Sequence, residues 1–80
     1  MAISHMAYGD GARILARAKG RITGAGGTVQ GDEKSGSFSV KGFEGTYDVG
    51  DGWVEIRVTD KPFFIPEEAV KSWLSSNVKA

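Results

Sequence analysis

The chain has no cysteine, so it carries neither a disulfide framework nor a thiolate nucleophile or metal ligand. Histidine is almost as scarce. The single one, His5, falls within Met1-Ala2-Ile3-Ser4-His5-Met6, which has a second methionine preceded by Ser-His. That segment reads as a cloning scar, disordered ahead of a start at Met6, with residues 7–80 as one small domain. Without imidazole or thiol there is no base for a Ser-His or Cys-His system and no soft ligand set for zinc or copper. The chain is therefore expected to be no enzyme, with no catalytic residue, no metal site and no cofactor. No apolar run approaches the ~20 residues of a membrane span, and no signal-peptide core opens the chain. Secreted domains this small usually need disulfides, so a reducing, cytoplasmic setting is expected.

Charge of one sign is also missing: ten basic residues balance ten acidic ones. The distribution is uneven, with Arg13, Arg17, Lys19 and Arg21 against Asp10 in residues 1–30, and an excess of acid afterwards. The four cations suit an anionic partner, nucleic acid or anionic lipid. Neutral overall charge, and the lack of aromatics interleaved with those cations, argue against nucleic acid.

What is abundant is glycine, at 12 of 80 residues. Ahead of the densest glycine stretch, Ala12–Lys19 has helical spacing, with Asp10 as a cap and Gly20 as a stop. From Arg21 to Thr59 the period changes to two and glycines interrupt every run, which indicates short strands. Phe43–Val49 and Trp53–Thr59 flank Gly50-Asp51-Gly52 and predict a hairpin. Ser37–Lys41 and Thr28–Gln30, joined through Asp32–Gly36, are expected to add two strands, and Ile22 to open another. Pro66, Glu67 and Glu68 then start a helix carrying Val70, Trp73, Leu74, Asn77 and Val78 on one face. The expected fold is α+β: a short N-terminal helix, an antiparallel meander of three to five strands and a C-terminal amphipathic helix on the sheet. Trp73 and Leu74 are expected in the core, and the chain is expected to be a monomer or a weak homodimer.

Few motifs carry chemistry. Asp32-Glu33, Asp48, Asp51 and Glu67-Glu68 are the candidate carboxylates; the pairs are adjacent in sequence and sit at turns or a helix start, and each carboxylate has an ordinary structural role. Gly24-Ala25-Gly26-Gly27-Thr28 looks like a phosphate loop, but such loops need a strand before the glycines and a helix after them. Ser76 and Lys79 share a serine–lysine spacing with no partners beside it. The stretch that stands out is Phe63-Phe64-Ile65, three bulky apolar residues between two prolines. A short connection cannot turn all three inward, so an exposed apolar patch is expected there, with Trp53 on the polar face of its strand adding to it.

The glycine-rich strands, Gly42-Phe43-Glu44-Gly45-Thr46-Tyr47, the valine-alternating strand, the aromatic-proline segment and the closing helix give residues 24–78 a resemblance to small bacterial polyhydroxyalkanoate system (granule-region) proteins. It rests on layout and glycine placement, and a related bacterial family of unknown function fits the same layout. The resemblance implies a non-catalytic accessory protein that meets an apolar polymer or a protein at its surface.

Overall fold

The computed structural model describes residues 3–78. In chain order it consists of β1 (Ile3–Tyr8), α1 (Gly11–Gly24), β2 (Thr28–Gly31), β3 (Ser35–Val40), β4 (Phe43–Gly50), β5 (Trp53–Asp60) and α2 (Glu67–Asn77). The five strands make one antiparallel sheet in the order β1-β5-β4-β3-β2. An α+β fold with an antiparallel meander and a closing helix is thus present, and both helices lie on one face of the sheet.

The start of the chain differs from the expectation. Ile3, His5 and Ala7 alternate with Ser4, Met6 and Tyr8, and this period-two pattern pairs the segment with β5 in the register Ile3↔Val58, His5↔Ile56 and Ala7↔Val54. Ile3 is only 3% exposed. The segment read as a disordered scar is therefore an edge strand from Ile3 onward, and the first element is a strand rather than a helix. His5 faces the core side, and its Nε2–H donates to the Val78 carbonyl at 2.9 Å, tying the end of α2 to β1.

The helix α1 runs past Gly20 to Gly24. Ile14, Leu15, Ala18 and Ile22 are all buried, and their spacing is helical throughout. Burial of Ile22, worth about 1.5–3 kcal/mol, outweighs the ~1 kcal/mol that glycine costs inside a helix. Ile22 therefore belongs to α1 and opens no strand. At the other end, the Asp10 carboxylate accepts from the Ala12 and Arg13 N–H groups, as an N-cap does.

Along the meander, side chains alternate as the sequence indicates. Gly45, Tyr47 and Val49 of β4 and Val54, Ile56 and Val58 of β5 face the helices. Glycine makes room for the core aromatics. Gly45 lies opposite Phe38 and directly beneath its ring, and Gly36 lies opposite Tyr47 in the same way. A Cβ at either position would collide with the aromatic ring and with a neighbouring backbone carbonyl. The β4–β5 hairpin closes through Asp51-Gly52, with Gly50 paired to Trp53. The β3–β4 hairpin closes through Lys41 (φ 49°) and Gly42 (φ 88°), the two left-handed residues of a tight turn whose twist matches the strands. Gly42 adopts that conformation freely; Lys41 does so against its steric preference.

In α2, Val70 and Leu74 are buried, as is Val78 just beyond the helix. Trp73 is not a core residue: it is 43% exposed. Val70 and Leu74, four residues apart, define the face turned to the sheet, and Trp73 lies on its flank.

Candidate functional site

The connection from β5 to α2 places the predicted apolar residues in two different environments. Phe63 is 95% and Phe64 71% exposed, and their rings meet edge to face at 5.7 Å between centroids. Ile65 instead turns inward and packs against the core. Its N–H donates to the Pro62 carbonyl, so the chain reverses tightly here and leaves the two phenylalanines outside. Trp53 does not join them. It stands at the start of β5, and the seven residues from there to Asp60 separate it from the Pro62 region by about 23 Å. Its indole lies over Gly50, where no Cβ would fit, and it is half-buried on the outer face.

A partly open cavity of about 310 Å³ lies between α1, α2 and the sheet; Ile65 lines it, whereas Phe63 and Phe64 do not. Its lining includes Phe38, Val40 and Phe43 of β3 and β4, Ile56 and Val58 of β5, Ile65, and Ala69, Trp73 and Leu74 of α2 with Val78 just beyond it. Lys41 is the one ionisable residue in the lining. Apart from Lys41 the lining is apolar, so the wall offers a water molecule few of the about two to four polar partners it takes when buried. The sequence did not reveal the cavity, since most of its lining reads as ordinary core; the nearest signal was the Phe63–Ile65 run, which contributes Ile65.

The basic residues of α1 are only partly gathered. Arg13, Arg17 and Arg21 recur every four residues and form one exposed stripe, whereas Lys19 lies on the other flank of the helix and is half-buried. None of the described ion pairs involves them; the Arg57–Glu55 pair on the outer face is exposed.

Asp32 holds the turn between β2 and β3, and Asp48 lies within β4. Asp32 accepts from the Lys34 and Ser35 N–H groups at 2.8 and 2.9 Å. Those bonds, together with the Lys34 charge, hold its carboxyl below the usual aspartate range. Tyr47 donates its hydroxyl proton to the Asp32 carbonyl. Burial pushes the Tyr47 phenol up, and the Asp32 charge adds to the shift. Among the described residues no three His, Asp or Glu side chains are grouped to hold a metal ion. The Gly24–Thr28 stretch follows a helix and precedes a strand, the reverse of a phosphate loop. Its Ala25, Gly26 and Gly27 N–H groups are taken by carbonyls of α1. Ser76 is exposed, and Lys79 lies outside the described residues. No described helix is long and apolar enough to cross a membrane.

No family model matches the chain, and comparisons with curated proteins and with solved structures return no match.

Proposed function

We propose that the chain is a non-catalytic binding module that takes an apolar group at the Phe63–Phe64 rim and seats it in the cavity beneath α2. The observation that carries this reading is the direct chain connection between the exposed rings and the cavity. Phe63 and Phe64 stand outside, and Ile65, the next residue, lines the interior. Aromatic anchors beside a concave apolar site are a recurring arrangement for recognition. The resemblance to granule-region proteins supports the same kind of partner, an apolar surface or the chains within it. Trp53 has no part in this site. The arginine stripe of α1 supports the other reading, an anion-binding face, less strongly, because no concave site accompanies it.

The test is titration with Nile red, a neutral apolar dye. Saturable binding is expected, with little dependence on salt between 50 and 500 mM, since apolar contact is not screened. Phe63→Ser should weaken it by at least about tenfold while leaving the circular dichroism spectrum unchanged. Steep loss of binding with salt, abolished by Arg13→Ala and Arg17→Ala instead, would replace this reading with the anion-binding one.

A further inference from the structure

The cavity's shape and its single charge specify the class of occupant more closely. The wall formed by α2 and Val78 just beyond it runs from Ala69 to Val78, about 13 Å at 1.5 Å per residue, which makes it longer than a ring-shaped ligand needs. An engineered apolar cavity of about 150 Å³ holds benzene, so about 310 Å³ accommodates about twelve carbons by proportion. Lys41 is the one cation in the lining, and no carboxylate lines the cavity. The tight β3–β4 turn fixes the Lys41 backbone, with Gly42 set against the Pro62 ring. A lysine stem can lie along apolar surface while its ammonium remains in water, which is the geometry needed to meet an anion at the mouth of an apolar channel.

Taking the binding-module reading as its basis, the geometry points to a single-chain anionic amphiphile, a straight-chain carboxylate of medium length, with its alkyl chain beneath α2 and its carboxylate paired to the Lys41 ammonium. Charge selects the head and the void selects the tail. The arrangement discriminates against a neutral head, which loses the charge-assisted contact, and against a cationic head, which Lys41 repels.

The full chain should be titrated calorimetrically with dodecanoate, dodecanol and dodecyltrimethylammonium, each below the concentration at which it forms micelles. One dodecanoate per chain is expected, bound about tenfold more tightly than dodecanol and more tightly still than the ammonium. Lys41→Gln should bring dodecanoate and dodecanol to equal affinity, and Lys41→Glu should reverse the order of the two charged ligands; both variants should melt near the parent temperature. Equal affinity for all three ligands in the parent chain, or a preference for dodecanoate that survives in Lys41→Gln, would overturn the headgroup assignment while leaving the apolar module standing. Absence of binding by all three would overturn both.

Discussion

Core aromatic side chains in this sheet have glycine for a floor, and this explains a composition that otherwise looks hostile to strands. Phe38 occupies the space above Gly45, and Tyr47 that above Gly36. Gly45→Ala should therefore act as overpacking, costing about 1–3 kcal/mol, measurable as a lower midpoint in urea. An alanine tolerated without loss would mean that Phe38 has room to move. Tyr47 offers a second test at this scale. Its folded-state pKa lies above that of the unfolded chain, so its contribution to stability is complete below about pH 10 and is lost as pH rises through the folded value. Tyr47→Phe should lower stability at pH 7 by about 1 kcal/mol, for the lost hydrogen bond, and flatten the alkaline limb of the pH–stability curve. Asp32 has the opposite sign. Its depressed pKa gives stability that is present above about pH 4 and lost on acidification, and Asp32→Ala should remove that acid limb.

Elements were legible in the sequence where one period held without interruption. The β4–β5 hairpin declares itself in Phe43–Val49, Trp53–Thr59 and the Gly50–Gly52 break, and α2 in Val70 and Leu74. Two elements were hidden for different reasons. In α1, Gly20 imitates a stop signal, yet no neighbouring group approaches it and the buried Ile22 carries the helix onward. In β1, a leader-like string obscures a plain alternation of Ile3, His5 and Ala7. Ile3→Ala should cost about 2–4 kcal/mol if that strand is built as described; a disordered leader would show no change in melting temperature. On α2, Leu74→Ala should cost about 2–5 kcal/mol and Trp73→Ala distinctly less, because Trp73 is 43% exposed. The candidate site was half legible. Three bulky residues between prolines marked the connection that supplies Ile65 to the lining, but the cavity is made by the mutual placement of α1, α2 and the sheet, which no local pattern encodes. Trp53 was drawn in by its polar-face position alone, and the length of β5 separates it.

At the scale of the whole molecule, the strand that comes first in the chain pairs with the one that comes last. The β2–β5 meander is built from neighbours in sequence, whereas β1 must close a loop of more than forty residues to reach β5, and α2 covers the sheet only after the last strand is made. Contacts between distant parts of a chain form late because loop closure precedes their reward. Native-state hydrogen exchange should accordingly find the amides of α2 opening at lower free energy than those of β4 and β5; equal protection throughout would show a single cooperative unit. The His5–Val78 hydrogen bond acquires a further meaning from this order. It fastens the terminal helix, the roof of the cavity, to the edge strand at the opposite end of the sequence. A ligand that enters by lifting that roof exchanges at a rate governed by how often the two chain ends part company. Weakening the fastening with His5→Ala should then quicken both loading and release, and the ratio of those rates should change far less than either one. The clasp between the ends of the chain would then be a timer for the site, set by a residue that never touches what is bound.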